Sequence, residues 1–384
     1  MRFFHISDLH IGLRLLNRDM QPDQIHILDQ IAEYVKKEQP DAVVIAGDIY
    51  DKAVPSAEAV GIFDRFVNAL NTAAPDAEIL VISGNHDSAA RVNIFRNVLC
   101  RHHIHMVGLP PMLPDEHIEK VTLKDEYGNI DFYLLPFVKP SMVRAVTGPD
   151  HNGNSLSYEE ALRRLIDRED IDETGRNVLV SHQFYLPAGA DPSDIERMDS
   201  EIVTVGNIDS ICSDVLKKFD YAALGHIHKP MKAGGEFFRY CGTPLACSFS
   251  EAGQEKGILS VEMKEKGSVR TEVIPLVPLH PVRVVRGEIR DLIENGSEDY
   301  VKVVITDKGG IAEEDVIERI RAAYPNLLLI ERENIVRNDY GGARFSEGSV
   351  PDAFELCRAF LNEPDEDTCE LLRDVINTVK EGGR

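Results

Sequence analysis

Five short motifs in this sequence combine carboxylate, amide and imidazole side chains, and each stands at or just after a predicted strand. They are Asp8-x-His10, Gly47-Asp48 with Asp51 three residues on, Gly84-Asn85-His86-Asp87, Ser181-His182 and Gly225-His226-Ile227-His228. Together they offer two Asp, one Asn and four His as ligands: Asp8, Asp48, Asn85, His10, His182, His226 and His228. Such a donor set, without a thiolate, suits a hard or borderline divalent ion such as manganese or iron.

Seven ligands are too many for one ion, and they suit two ions about 3.5–4 Å apart that share one carboxylate. Two such cations lower the pKa of a water molecule and neutralise the charge that builds on phosphoryl oxygens. The predicted chemistry is therefore cleavage of a phosphate ester. His86 can protonate the leaving oxygen or stabilise the transition state. Asp51 can accept a hydrogen bond from His86 and hold its ring.

Each motif taken alone can also be a polar surface turn, and it is their common position at strand ends that favours a site. The cluster His102, His103 and His105 follows a predicted helix, so we expect surface or packing roles for it. His5 lies inside the first predicted strand and is expected to be a core histidine whose ring nitrogens have hydrogen-bond partners. The six cysteines contain no C-x-x-C pair, which indicates reduced thiols rather than a disulfide framework or a zinc site.

The elements that must position these motifs alternate between strand and helix over residues 1–275. Apolar runs predict strands, and 3.6-residue periodicity predicts helices. Strands are expected at 2–7, 42–46, 79–82, 131–138 and 178–181, and helices at 25–35, 57–70, 92–99 and 158–168. Ser56 is a predicted N-cap, and Ser157 with Glu160 forms a capping box. The pattern predicts an α/β fold of mixed β-sheets flanked by helices, with functional side chains at strand ends.

The rest of the chain divides into three further parts. Residues 276–333 read as a β-α-β-α-β unit, a small α+β domain, with strands at 282–285, 300–305 and 327–330 and helices near 288–294 and 312–323. Residues 334–350 are polar, contain glycines and read as a linker. Residues 351–384 read as two short amphipathic helices, which must dock onto the body or onto another protein because neither buries its apolar face alone.

Composition sets limits on the partners. The 384 residues are 43% apolar, and no apolar run approaches the roughly 20 residues of a membrane span. The first residues show no signal-peptide pattern, so we expect a cytoplasmic protein. The net charge of −23 argues against a nucleic-acid binder held by overall charge. Metal ions and a local basic rim can offset that bulk charge.

The five motifs resemble those of the calcineurin-like metallophosphoesterases, and among them the DNA-repair nucleases of bacteria. Three further stretches are typical of those nucleases: His5-Ile6-Ser7-Asp8-Leu9-His10-Ile11-Gly12, Ser88 with Arg91, and Gly242-Thr243-Pro244-Leu245 leading to Ser248-Phe249-Ser250-Glu251. The resemblance covers the first 275 residues. It implies that Asp8, His10, Asp48 and His228 bind one metal, and that Asp48, Asn85, His182 and His226 bind the other. It also implies that His86 is the catalytic histidine.

The resemblance implies a manganese-dependent nuclease, with magnesium or iron as other possible ions. The implied activity is 3′-to-5′ exonuclease cleavage of double-stranded DNA and endonuclease cleavage at hairpins, in DNA repair, recombination and replication. The implied partner is an SMC-like ATPase that binds residues 351–384, with a homodimer of this chain completing a heterotetramer. Residues 276–333 would be a capping domain that contacts DNA. Arg14, Arg18 and Arg91 either reach DNA phosphates or are solvated surface charges.

Two other functions remain open on the sequence alone. The chain can be a phosphoesterase that acts on a nucleotide or a phosphoprotein, because the metal motifs are shared and specificity lies in the rim of the site. It can also be a binding scaffold that kept the fold and lost catalysis. A scaffold would be expected to have lost ligands, and all seven are present.

Overall fold

The computed structural model describes residues 1–192, 195–201, 209–307 and 313–333, and eight single residues between 354 and 372. The predicted linker 334–350 lies outside the described residues, as does most of the predicted helix pair 351–384. Among the described helices, none has the length and apolar character that crossing a bilayer requires.

The strands of the described residues form two large sheets, one small sheet and two short ribbons. They are β1 (Arg2–Ile6), β2 (Arg14–Leu15), β3 (Arg18–Asp19), β4 (Ala42–Ala46), β5 (Glu78–Ile82), β6 (Ile104–Val107), β7 (Glu119–Asp125), β8 (Gly128–Leu135), β9 (Arg176–His182), β10 (Phe184–Leu186), β11 (Ser210–Cys212), β12 (Tyr221–Gly225), β13 (Met231–Lys232), β14 (Phe238–Tyr240), β15 (Gly257–Met263), β16 (Val269–Pro275), β17 (Val282–Gly287), β18 (Tyr300–Ile305) and β19 (Leu327–Arg332).

The α-helices of the described residues mostly cover the outer faces of these sheets. They are α1 (Gln21–Glu38), α2 (Ala57–Ala73), α3 (Ala89–Val92), α4 (Arg96–Leu99), α5 (Arg144–Thr147), α6 (Tyr158–Asp167), α7 (Ile289–Glu294) and α8 (Glu313–Ala323). Short 3₁₀ turns lie at Cys100–His102, Ser213–Leu216 and Phe249–Glu251.

Two six-stranded sheets pack face to face, in the orders β16-β15-β1-β4-β5-β6 and β13-β14-β12-β9-β8-β7. The layer between them contains fully buried Phe3, Val44, Phe132, Val178 and Tyr221. Helices α1 and α2 cover the outer face of the first sheet, and α6 covers that of the second. These four layers confirm the predicted α/β fold of mixed sheets flanked by helices.

The central strands of both sheets run parallel. In the first sheet β1, β4, β5 and β6 pair in parallel, and in the second β8, β9, β12 and β14 do. Antiparallel β15, β16, β7 and β13 close the sheets at their sides. Parallel strands bring their carboxyl ends to one edge, which is where ligand sites form in such sheets.

Helix starts follow the predicted caps. The Ser56 side chain accepts from the Ala59 amide, and the Ser157 side chain accepts from the Glu160 amide, each at 3.2 Å. These bonds satisfy N–H groups that have no partner within the helix. The predicted cap at Ser56 is thus confirmed. Of the predicted capping box, the Ser157 half forms, while Glu160 Oε1 accepts from Arg164 Nε at 2.8 Å instead.

The single helix predicted over 92–99 is wrong. The structure has two four-residue helices, α3 and α4, separated by Phe95 in a left-handed conformation with φ 62°. Phe95 is 74% exposed and Val98 is 56% exposed. Because these apolar residues pack against no core, their spacing did not correspond to a buried helix face.

The three-stranded sheet β17-β18-β19 is wholly parallel and packs with α7 and α8 around its own apolar core. It also contacts α1. The buried Asp23 carboxylate accepts from the Tyr300 hydroxyl at 2.8 Å and from the His280 amide at 2.8 Å. The Arg18 guanidinium donates to Asn326 Oδ1 at 2.8 Å and lies over the Tyr300 ring. The predicted division at residues 275 and 333 stays a prediction.

We expect Asp23→Ala to lower the free energy of unfolding by about 2–4 kcal/mol. The change leaves the Tyr300 hydroxyl and the His280 amide without their acceptor, and an unsatisfied buried polar group costs about 1–3 kcal/mol. Urea unfolding of the metal-free protein measures this. Asp29→Ala, at an exposed position of the same helix, is the matched control and should stay within about 0.5 kcal/mol of wild type. Equal stability of Asp23→Ala and wild type would show that the two hydrogen bonds accepted by Asp23 do not stabilise the fold.

Candidate metal centre

The seven predicted ligands come together where the two sheets meet at the carboxyl ends of their parallel strands. Asp8 and His10 follow β1, Asp48 follows β4, and Asn85 follows β5. His182 ends β9, and the last two histidines follow β12. His10 Nε2 and His228 Nε2 lie 3.1 Å apart. Asn85 Oδ1 lies 3.0 Å from His182 Nε2 and 2.7 Å from His226 Nδ1.

Asp48 lies between the two groups of donors. Its Oδ2 is 3.2 Å from His182 Nε2 and 3.8 Å from His10 Nε2. Its Oδ1 accepts a hydrogen bond from the His86 amide at 2.8 Å. A carboxylate in contact with both groups is what a bridge between two ions requires.

Four of the seven predicted ligands have a positive φ, a backbone conformation that residues other than glycine rarely adopt. The φ angles are 54° at Asp8, 43° at His10, 48° at Asp48 and 98° at His226. Such residues cost of order 1–3 kcal/mol each and persist only when the surrounding structure holds them. Four of the eight described non-glycine residues with a positive φ are thus predicted ligands.

Two glycines of the motifs allow close approach. A Cβ at Gly84 would lie 2.1 Å from Asp48 Oδ1, and one at Gly225 would lie 2.0 Å from the Ala46 carbonyl oxygen and 2.7 Å from His182 Nδ1. Gly84 does not have a positive φ. Its function is to admit the Asp48 carboxylate rather than to permit the sharp turn that its position after a strand suggests.

Main-chain groups bond to or from two of the predicted ligands, and at His182 the bond sets the ring orientation. His182 Nδ1 donates to the Ala46 carbonyl at 2.8 Å, which leaves Nε2 toward Asp48 and Asn85. The His226 amide donates to Asp8 Oδ1 at 3.0 Å. A hydrogen bond at one ring nitrogen fixes which nitrogen binds a metal.

The electrostatics of the site favour a cation beside Asp48. Burial disfavours charge on both Asp48 and His182, but their mutual attraction outweighs it. That attraction holds the pKa of the Asp48 carboxyl below its usual range and raises the pKa of His182 to about 9. Burial, with His228 adding to it, lowers the pKa of His10 to about 3. The neutral His10 ring is the form that binds metals.

Asp87 has a positioning role that the sequence did not indicate, although it stands in the third motif. Its Oδ2 accepts from the Ile49 amide at 3.0 Å and from the Gly84 amide at 2.9 Å, and its Oδ1 accepts from the Tyr50 amide at 3.0 Å. The carboxylate thereby joins the loop after β4 to the loop after β5.

The predicted hydrogen bond from His86 to the Asp51 carboxylate needs correction. His86 Nδ1 instead donates to the Asp51 main-chain carbonyl at 3.0 Å. The carboxylate lies elsewhere, with Oδ1 at 4.0 Å from His10 Nδ1. The backbone bond comes from the path of the loop, which no residue type specifies. A catalytic role for Asp51 stays a prediction.

A second row of side chains supports the ligands from behind. Glu251 Oε1 lies 3.2 Å from His228 Nδ1, and Glu201 Oε1 accepts from the His228 amide at 2.9 Å. Ser200 Oγ lies 2.8 Å from His228 Nδ1, and Arg197 Nη2 lies 3.3 Å from His226 Nε2. Glu251 stands in a stretch that the sequence singled out by resemblance. The residues at 197, 200 and 201 carried no signal.

The predicted basic residues differ in their surroundings. Arg91 and Arg14 are exposed, and Arg14 donates to the Asn17 carbonyl at 3.3 Å. Arg18 is engaged by the small sheet, as described above. Contact of any of them with DNA stays a prediction.

The other predicted histidine roles agree with the structure except in one respect. His103 and His105 pair with Glu78 at 2.8 and 2.9 Å. His5 is buried with Nδ1 3.0 Å from the Tyr221 hydroxyl, but its Nε2 has no hydrogen-bond partner among the described residues, so the ring is only partly satisfied.

The donors fit a pair of divalent ions. Asp8, His10 and His228 offer atoms close enough to hold one ion, and Asp8, Asp48 and His182 form a second such group. Carboxylate, imidazole and amide donors suit manganese and iron.

We expect Gly84→Ala to weaken Mn²⁺ binding by more than tenfold. The added methyl group overlaps the Asp48 carboxylate and must displace it from between the donor groups. Titration calorimetry of the metal-free protein measures the effect. Gly61→Ala, in the open middle of α2, is the control. It should keep wild-type Mn²⁺ affinity and raise stability by up to about 1 kcal/mol. Wild-type affinity in Gly84→Ala would show that the carboxylate is not required there.

Comparisons with known proteins give two family matches and a curated relative. A family model described as calcineurin-like phosphoesterase matches residues 1–230, and one described as type 5 capsule protein repressor C-terminal domain matches residues 278–359. The curated SbcD component of the nuclease SbcCD from Staphylococcus epidermidis is 29% identical over 337 residues, which are 86% of this chain and 85% of that protein.

Two solved structures show weak similarity. One is GAP50, the anchor in the inner membrane complex of Plasmodium, at 11% identity and TM-score 0.39, covering 72% of this chain and 89% of that one. The other is a dimetal phosphatase from Danio rerio, at 15% identity and TM-score 0.38, covering 72% and 98%. Neither bears on function at these scores. Because the first family model covers more than half of the 384 residues, the chain belongs to the calcineurin-like phosphoesterases, a family of metal-dependent hydrolases.

Proposed function

We propose that this chain is a two-metal DNA phosphodiesterase, the nuclease subunit of an SbcCD-type complex. The observation that carries the two-metal proposal is the position of Asp48, whose carboxylate contacts donors of both groups. Asp8, His10, Asp48 and His228 would hold one ion. Asp48, Asn85, His182 and His226 would hold the other. Mn²⁺ is the proposed ion.

Two bound ions would supply a water of lowered pKa and neutralise charge on the phosphoryl oxygens. His86 is the side chain proposed to protonate the leaving oxygen. Its Nδ1 hydrogen is held by the Asp51 carbonyl, so Nε2 is the ring atom that exchanges a proton with the substrate. The ring packs edge to face with His10 at 4.8 Å between centroids, which fixes its plane beside the donors. General acid catalysis of this kind contributes about 10²–10⁴-fold.

The similarity to the SbcD component of the nuclease SbcCD supports DNA as the substrate. The match extends over 85% of that protein, beyond the phosphoesterase region. The proposed activities are ATP-dependent 3′-to-5′ exonuclease cleavage of double strands and endonuclease cleavage at hairpins, in DNA repair, recombination and replication. Residues 276–333 are the proposed capping domain, and residues 351–384 the proposed binding segment for an SbcC-type SMC-like ATPase. Location in the cytoplasm stays a prediction.

A homodimer is part of the proposal, and an exposed apolar patch on α4 and the turn before it supports it. Ile94, Phe95 and Val98 are 51%, 74% and 56% exposed. Contiguous apolar surface of this kind marks interaction sites on soluble proteins.

We expect His86→Ala to lower the rate of Mn²⁺-dependent cleavage of labelled duplex DNA by about 10²–10⁴-fold. Metal content should stay at the wild-type level, because His86 is not one of the seven ligands. His102→Ala, at an exposed histidine, is the control and should cleave at the wild-type rate. The assay is run with and without the ATPase partner.

The same preparation separates the proposed substrate from its alternative. Hairpin DNA, a p-nitrophenyl ester and a cyclic nucleotide are compared at equal enzyme and Mn²⁺ concentration. The proposal requires DNA to be cleaved in preference to both small esters. An unchanged rate in metal-replete His86→Ala would remove the assigned role, and preference for a small ester would favour a nucleotide phosphoesterase.

We expect Phe95→Glu to shift the protein from dimer to monomer, because a buried charge at the centre of the patch is not compensated. Sedimentation velocity measures the change. Val273→Glu, on the exposed face of β16, is the control and should leave the dimer intact. A Phe95→Glu variant that stays dimeric would place the interface elsewhere.

A further inference from the structure

A buried ion pair lies directly behind His228, outside all five motifs. Glu251 is 1% exposed and Lys256 is 7% exposed. Lys256 Nζ donates to Glu251 Oε2 at 2.6 Å and to Thr243 Oγ1 at 2.7 Å, and Thr243 Oγ1 donates to the same carboxylate oxygen at 2.7 Å. Oε2 of Glu251 thus accepts hydrogen bonds from the lysine and the threonine.

The other oxygen of Glu251 faces the imidazole. Glu251 Oε1 lies 3.2 Å from His228 Nδ1, and Ser200 Oγ lies 2.8 Å from both of these atoms. The ring N–H can therefore donate to the carboxylate directly or through the serine hydroxyl. Both routes end on Glu251 Oε1. The opposite ring nitrogen, Nε2, lies 3.1 Å from His10 Nε2, on the side of the candidate ions.

Neither stability nor a third metal ion explains this arrangement well. A buried ion pair often contributes nothing over an apolar pair of equal size, because desolvation offsets the attraction. His228, Cys247 and Glu251 offer atoms within metal-binding range of one another. The ammonium group of Lys256 already supplies the positive charge at Glu251, which disfavours a cation at this position.

We propose that Glu251 and Lys256 are positioning residues that hold His228 with its proton on Nδ1 and its Nε2 directed at the ion shared with Asp8, His10 and Asp48. A carboxylate behind a ligating histidine fixes the ring orientation and raises the basicity of the metal-binding nitrogen. Lys256 keeps the carboxylate ionised and in place. The inference rests on the proposed function in one respect, the presence of two bound metal ions, and it requires no particular substrate.

Loss of the Glu251–Lys256 pair should weaken the binding of only one of the two ions. Loss of a partner of this type weakens metal binding by about 10- to 100-fold. His182 and His226 have other partners behind their rings: His182 Nδ1 donates to the Ala46 carbonyl, and His226 Nε2 lies 3.3 Å from Arg197 Nη2. The site that they form with Asp48 and Asn85 should therefore bind Mn²⁺ with wild-type affinity. A general loss of structure would weaken both sites together.

The test is a Mn²⁺ titration of the full chain followed by electron paramagnetic resonance, with no DNA present. The variant is the double substitution Glu251→Gln with Lys256→Met, which removes both charges and leaves no buried ion unpaired. One ion should bind as in wild type. The signal of the coupled pair should appear only at about 10- to 100-fold higher Mn²⁺ concentration.

Glu169→Gln is the matched control. Glu169 is a buried carboxylate that also accepts from a histidine, His117 at 3.0 Å, far from the motifs in sequence. This variant should titrate as wild type does. Wild-type Mn²⁺ affinity at both sites in the folded double variant would overturn the proposal. An equal loss of Mn²⁺ affinity at the two sites would also overturn it.

A second measurement uses the wild-type protein and does not depend on folding of a variant. Long-range ¹H–¹⁵N correlation spectra of the histidine-labelled, metal-free chain report the tautomer of each ring, and His228→Gln identifies the His228 signals. The proposal predicts an Nδ1–H tautomer. An Nε2–H tautomer would contradict it. Because neither test includes a substrate, failure of this proposal leaves the nuclease proposal standing, and failure to cleave DNA leaves these results unaffected.

Discussion

The contacts of one carboxylate, Asp48, determine how the rest of the site is built. It is 1% exposed and lies within 3.8 Å of a ring nitrogen of two histidines that follow strands in different sheets. A buried charge of this kind is stable only when paired and hydrogen-bonded. The His86 amide, the His182 ring and, in the proposed state, two cations meet that requirement. The glycine at position 84 exists in this geometry because no side chain fits beside the carboxylate.

The sandwich supplies the rigidity that such a site needs. Side chains of both sheets interlock in a fully buried layer, so the carboxyl ends of β1, β4, β5, β9 and β12 are held at fixed distances. That rigidity maintains the left-handed backbone of four ligand residues, which an isolated loop would relax. The hairpin β2–β3, just past His10, contacts the small sheet through Arg18.

The sequence predicted what depends on local pattern. Apolar runs located the strands, serine caps located helix starts, and donor residues after strands identified side chains that the structure brings together. Features set by distant contacts were not predictable in this way. Glu251 reaches His228 across 23 positions, and Asp87 joins two loops 38 positions apart. The bond from His86 to the Asp51 carbonyl depends on backbone path alone. Phe95 is exposed and has a φ of 62° between two short helices, which the spacing of apolar residues did not indicate.

Anomalous diffraction from crystals of the chain grown with Mn²⁺, measured at the manganese edge, gives the sharpest test of the bridging carboxylate. A two-ion site predicts two peaks about 3.5–4 Å apart, with oxygens of the Asp48 carboxylate bound to both ions. One ion would be bound by the histidines at 10 and 228, the other by those at 182 and 226. A single peak, or a pair of peaks that Asp48 does not bridge, would contradict a two-ion site bridged by Asp48.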